Sequence, residues 1–177
     1  MAPKRYDFTT ILIHWVSALL VIGLFALGLW MVELNYYSSW YRTAPHWHKS
    51  IGIIVAAVTA LRLIWRLTHL APPMQGSRLV VFAAKFVHHL LYLLLFTLFI
   101  SGYLISTADG RPISVFNWFE VPGIGSLFAQ QADIAGLIHY YTAWSMILLV
   151  ALHALAALKH HLIDKDDTLI KMLGVKK

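Results

Sequence analysis

Two histidines in one apolar stretch carry the first chemical signal. His139 and His153 lie fourteen residues apart, a rise of about 21 Å along an α-helix. At 3.6 residues per turn that spacing falls about 40° short of four full turns, so both imidazoles lie on nearly one face. Residues 134–158 contain no Asp, Glu, Lys or Arg, and such a stretch is long and apolar enough to cross a bilayer. Ionisable groups inside a membrane helix are costly and usually functional. Two imidazoles at different depths on one face therefore predict two stacked metal or haem sites, with the remaining ligands coming from neighbouring helices.

The elements that must position such sites follow from the distribution of charge. Hydrophobic residues make up 59% of the 177 and charged residues only 12%, with a mean hydropathy of +0.68. That is too little charge to cover a water-facing surface, so the bilayer is the expected solvent. Apolar runs predict an all-α integral membrane four-helix bundle, a single transmembrane domain over 1–177, with helices at 9–32, 46–70, 79–107 and 134–162. Thr9 or Thr10 is the expected cap of the first helix, and Pro45 the expected opening of the second. Ala71, Pro72 and Pro73 stop the second helix. The segment 108–133 carries Phe116, Trp118, Phe119 and Phe128 among Gly and Pro residues. It reads as an aromatic lid on the membrane surface and not as a flexible linker. The apolar run after Thr9 is too long for a signal peptide and lacks a small-residue cleavage pattern. No internal repeat or low-complexity segment is found.

A net charge of +6 in a soluble chain would raise nucleic acid as a partner. Here the basic residues sort by loop instead, and no nucleic-acid partner is expected. Lys4, Arg5, Arg62, Arg66, Arg78, Lys85, Lys159, Lys165, Lys171, Lys176 and Lys177 fall on the side of the termini, against Arg42, Lys49 and Arg111 on the other. The asymmetry predicts both termini in the cytoplasm.

This topology sorts the histidines by depth. His14 and His153 fall near the inner face; His48 and His139 fall near the outer face. Each pair could clamp one iron from both sides, with the two irons roughly 20 Å apart along the membrane normal by the rise per residue. Two axial imidazoles leave no open coordination position, which suits electron transfer better than oxygen binding. Two competitors remain on spacing alone. His46 competes with His48 at the outer site, although His48 lies deeper and is in phase with Gly52, where a flat ligand can approach the backbone. His88 competes with His14 at the inner site. His69, His160 and His161 read as interfacial polar residues. The absence of cysteine excludes disulfides, iron–sulfur clusters, thiolate haem ligation and the C-x-x-C-H attachment of c-type haem. Zinc commonly takes four ligands at one site, and histidines separated into pairs by depth fit it less well.

Several motifs, taken together, resemble the bacterial cytochrome b561 family of small four-helix dihaem b-type cytochromes. They are Arg5-Tyr6 with His14-Trp15, the run from His48 to Gly52, Ser101-Gly102-Tyr103-Leu104, Val115-Phe116, and Glu120 to Pro122. In and after the last helix they are His139, His153, His160-His161 and Asp166-Asp167-Thr168-Leu169. The resemblance covers nearly the whole chain. It implies two haems b, the outer held by His48 and His139 and the inner by His14 and His153, with no ligand from the third helix, which sets His88 aside. It also implies a multi-pass protein of the bacterial inner membrane, electron exchange with ubiquinone and, for some members, oxidation of superoxide at the outer face.

The expected function is transfer of electrons between an outer donor, a small molecule or a protein, and ubiquinone, in a lipid-embedded monomer or small homo-oligomer. Arg42, Lys49 and Arg111 are outer cations able to attract an anionic donor. Pairing of Lys49 and Arg111 with haem propionates or with Glu120 and Asp109 competes with that role. His160, His161, Arg62 and Arg66 are candidates to meet a quinone at the inner face. Two further readings stand beside this one: a cytochrome b anchor subunit of a larger dehydrogenase or hydrogenase, and a haem-free histidine relay in a transporter. The spans carry no Asp or Glu apart from Glu33 at a boundary, whereas transporters usually carry intramembrane carboxylates or broken helices.

Overall fold

The computed structural model describes residues 3 and 5–175. Lys4, Lys176 and Lys177, counted above among the basic residues, lie outside the described residues. Four helices are long and apolar enough to cross a membrane: α1 (Phe8–Val32), α2 (Thr43–Thr68), α3 (Arg78–Thr107) and α4 (Gln131–Leu162). A short hairpin, β1 (Ile113–Val115) and β2 (Phe119–Val121), lies between α3 and α4, and α5 (Thr168–Leu173) follows α4.

The helix ends show where local chemistry overrides hydropathy. Asp7 caps α1, not Thr9 or Thr10: its Oδ1 accepts from the Thr10 backbone N–H at 2.8 Å and its Oδ2 from the Thr10 hydroxyl at 2.7 Å. α2 begins at Thr43 and ends at Thr68, not 46–70, so Pro45 sits inside the first turn, where a missing N–H costs nothing. α4 begins at Gln131, three residues before the expected 134, which shortens the preceding loop to 108–130. Asp133 therefore lies in the first turn of α4, where the helix dipole favours a carboxylate. Gln131 is buried and fully used: Oε1 accepts from the Leu127 N–H at 2.7 Å, and Nε2 donates to the Leu104 carbonyl at 3.0 Å and the Gly125 carbonyl at 3.3 Å. This amide ties the loop and the start of α4 to the end of α3.

The bundle is assembled as two helix pairs, α1 on α2 and α3 on α4, with lighter contact between α2 and α3 and between α1 and α4. Among the described residues, buried small polar side chains are placed on these helices: Ser17, Ser50, Thr59, Ser101 and Thr107. Small residues let helix backbones approach where lipid provides no hydrophobic drive. The hydroxyls of Ser101 and Thr107 donate back to the carbonyls of Thr97 and Tyr103, at 2.6 and 2.9 Å.

The aromatic loop is a docked hairpin. Ile113 pairs with Val121 and Val115 with Phe119 in antiparallel register. Its turn places Phe116 and Asn117 at φ of 49° and 60°, a left-handed conformation costly for a bulky side chain. Ser50 of α2, fully buried, holds it there: its Oγ accepts from the Phe116 N–H at 3.0 Å and donates to the Ser114 carbonyl at 3.4 Å. Trp47 meets the Phe116 ring edge-on at 5.6 Å.

Both described chain ends lie at the opposite end of the bundle. The Trp15 indole N–H donates to the Met172 carbonyl at 2.9 Å, which ties α5 to α1. The turn before α5 is latched by His160, whose Nδ1 lies 2.7 Å from Asp166 and 3.1 Å from Asp164, while Lys159 pairs with Asp164 at 2.7 Å. Burial alone pushes the Asp166 carboxyl up, but hydrogen bonds from Thr168 and from His160 outweigh it and hold the carboxyl below its ordinary value.

Candidate haem-ligating sites

Four of the ten histidines form two pairs, one toward each end of the bundle. At the hairpin end, His48 of α2 faces His139 of α4 with ring centroids 6.3 Å apart and planes at 68°. At the terminal end, His14 of α1 faces His153 of α4 at 6.4 Å and 70°. Each pair joins one helix hairpin to the other. α4 contributes to both because the fourteen-residue spacing returns its imidazoles to one face.

The hairpin-end pair is buttressed on both sides. A Cβ built on Gly28 would stand 3.3 Å from Cε1 of His48, and one built on Gly102 would stand 3.3 Å from Cε1 of His139. Each ring thus rests against the bare backbone of the helix paired with its own. Ser101 orients His139 further, with Oγ 3.0 Å from Nδ1. The Ser101 proton is committed to the Thr97 carbonyl, so Oγ accepts and Nδ1 of His139 is the protonated nitrogen. Nε2 is left with its lone pair, the state a metal ligand requires.

The terminal-end pair has different neighbours. The Arg62 guanidinium stands 3.0 Å from Nδ1 of His14, and its charge also acts on His88 and His153. The Tyr92 ring lies 5.8 Å beneath it. His88 of α3 approaches His153 to 5.4 Å between centroids, closer than His14 does. Closer is not better here. A metal about 2 Å from each imidazole nitrogen sets the centroids of rings on opposite sides of it roughly 6 Å apart, the separation of the two cross-hairpin pairs, and 5.4 Å falls short of that arrangement.

Three further histidines are engaged locally. His69 stacks on Trp65 at 3.7 Å, His46 meets the edge of Phe116 at 6.4 Å, and His160 belongs to the α5 latch. Gly52, singled out from the sequence, has no protein atom within 4 Å of a built Cβ, whereas Gly28, which sequence reasoning passed over, touches a ligand-type ring. At the hairpin end Arg111 pairs with Asp109 at 2.5 Å. The Arg111 side chain holds the exposed Asp109 carboxyl below its usual range.

Four membrane-length helices, with imidazoles facing one another between them toward both ends, define a helical membrane protein that carries paired side chains of a metal-ligating type. The chain belongs to the prokaryotic cytochrome b561 family, whose family model matches residues 5–175. It is 52% identical to Cytochrome b561 homolog 2 of Escherichia coli over 97% of this chain and 93% of that one. It is 31% identical to the Probable superoxide oxidase CybB of Yersinia pestis over 98% of each, and 29% identical to Cytochrome b561 homolog 1 of Escherichia coli over 98% of this chain and 99% of that one. Membership implies haem b. The hairpin-end residues fit such a group: paired imidazoles 6.3 Å apart, His139 with its free nitrogen selected by Ser101, and an open backbone face at Gly52.

Proposed function

We propose that this chain is a dihaem b-type cytochrome that carries electrons across the bacterial inner membrane, from a donor at the outer face to ubiquinone. His48 and His139 hold the outer haem, at the hairpin end; His14 and His153 hold the inner haem, at the terminal end. One observation carries the reading: two histidine pairs at opposite ends of the bundle share almost the same ring separation, 6.3 and 6.4 Å. When bound, the haems supply one-electron chemistry, and the protein supplies ligation, spacing and electrostatics. The excess of basic residues at the terminal end supports cytoplasmic termini.

Superoxide is the donor this reading favours, because a relative of nearly equal length is named as a probable superoxide oxidase. Arg42 and Lys49 stand at the hairpin end to attract an anion; Arg111 is already paired with Asp109. Ubiquinone is the acceptor at the terminal end. Of the four side chains considered there, Arg62 is engaged by His14 and His160 by the α5 latch, so Arg66 and His161 are the better candidates to meet it.

A reduced-minus-oxidised visible spectrum of the purified protein, with haem counted per chain, tests the proposal. Two low-spin b haems per chain are expected. His48→Ala and His139→Ala should remove the same haem, His14→Ala and His153→Ala the other, and His88→Ala neither. Haem-free protein from haem-sufficient cells would overturn the reading, and loss of a haem in His88→Ala with both retained in His14→Ala would overturn the pairing.

A further inference from the structure

The hairpin-end site is built twice over. α1 and α3 both run toward it, and at a constant offset of 74 residues His14, Leu24, Phe25 and Gly28 match His88, Leu98, Phe99 and Gly102. At an offset of 91, His48 of α2 matches His139 of α4. So few positions are shared that no repeat is evident along the sequence; the geometry is what makes the two helix pairs equivalent. A Cβ on Gly28 would stand 3.3 Å from Cε1 and 3.7 Å from Nδ1 of His48, and one on Gly102 would stand 3.3 and 3.5 Å from the same atoms of His139. About one helical turn before each glycine, the carbonyl of Leu24 or of Leu98 is a backbone acceptor beside the ring.

The equivalence breaks in two places. At the terminal end, the α2 residue fourteen beyond His48 is Arg62, where α4 has His153. At the hairpin end, Ser101 gives Nδ1 of His139 a hydroxyl at 3.0 Å. The matching residue of α1 is Leu27, and Nδ1 of His48 has no hydrogen-bond partner among the described residues. A methyl added at 3.3 Å would sit inside the optimum of about 3.5–4.0 Å for carbon contacts, so either ring would have to give by a few tenths of an ångström. That is as large as the ~0.2 Å latitude of metal–ligand distances. We propose that Gly28 and Gly102 are twin positioning residues, which act through His48 and His139 to set two ring planes on one iron with quasi-twofold symmetry. This rests on the ligand assignment above and adds to it what aims the ligands.

The test is haem affinity, measured by competition with an apo-haem-binding protein, together with the low-spin EPR signal of the ferric haems, which reports the planes of the axial rings. Gly28→Ala and Gly102→Ala should each hold the hairpin-end haem, the one absent from His48→Ala, about tenfold or more weakly than the wild type. Both should shift its EPR signal and leave the terminal-end haem unmoved. Gly23→Ala and Gly136→Ala, where nothing lies within 4 Å of the added methyl, should match the wild type. Leu27→Ser should supply the missing hydroxyl to His48 and hold that haem about 2- to 12-fold more tightly than Leu27→Ala, the contribution of one hydrogen bond. Wild-type affinity and EPR in either pocket-glycine variant, or equal disturbance of both haems, would overturn the inference, and so would equal affinities in Leu27→Ser and Leu27→Ala. Should an alanine variant fail to fold, the Leu27 comparison still decides it. Absence of haem from the wild type would instead refute the dihaem reading.

Discussion

Ser101→Ala isolates what orients a ligand from what ligates. Ser101 is 3% exposed, and its hydroxyl is the group hydrogen-bonded to Nδ1 of His139. Removing it takes away the hydroxyl acceptor and leaves the Leu98 carbonyl as the acceptor beside the ring, at a cost of about 0.5–1.5 kcal/mol. The cost falls on the ring orientation that presents Nε2 to the metal. At 1.4 kcal/mol per factor of ten, it corresponds to a loss of roughly 2- to 12-fold in haem affinity at the hairpin end, which reaches the lower end of the 10- to 100-fold typical of outer-shell partners of metal ligands. The assay is haem retention per chain during stepwise competition with an apo-haem-binding protein, followed by difference spectra. Ser101→Ala should lose first the haem that His48→Ala also lacks, and should keep the other. Ser17→Ala is the control: its hydroxyl is equally buried but has no partner among the described residues, so its removal should change retention little. Wild-type retention of both haems in Ser101→Ala, or preferential loss of the terminal-end haem, would refute the argument.

Two further outcomes follow from the elements around the sites. Ser50→Ala removes the bond that holds Phe116 in its left-handed conformation. It should cost about 1–3 kcal/mol and be read as faster proteolysis within 108–130, with the helices still protected; an unchanged cleavage rate would refute the role of Ser50 as the anchor. The Asp166 latch sets a pH limit on α5. Because the folded carboxyl is held below its ordinary value, its contribution is complete above that ordinary value and is lost as pH falls through the lowered one. Amide exchange in α5 should therefore be level from about pH 7 to 5, once corrected for intrinsic rates, and accelerate below about 4, and Asp166→Asn should already show the acid behaviour at neutral pH. Loosening of α5 that begins above pH 5 would contradict this assignment.

Much of this protein is legible along its sequence because the relevant physics is one-dimensional. Charge-free runs set the four spans. The fourteen-residue spacing sets His139 and His153 on one face at two depths. The imbalance of basic residues supplies the expected orientation. Helix ends were less legible, because a cap such as Asp7 or a staple such as Gln131 is a local hydrogen-bonding decision that hydropathy does not register. Lateral arrangement was beyond the sequence altogether. His14 and His88 lie at similar depth on different helices, and only helix packing decides that one stands 6.4 Å from His153 and the other 5.4 Å. The same packing brings Gly28 and Gly102 against imidazole rings, hands Nδ1 of His139 to Ser101, and sets Arg62 against His14. Periodicity determines which face and which depth a residue takes on its own helix; what it meets across the bundle depends on how whole helices cross, and that is a property of the tertiary structure alone.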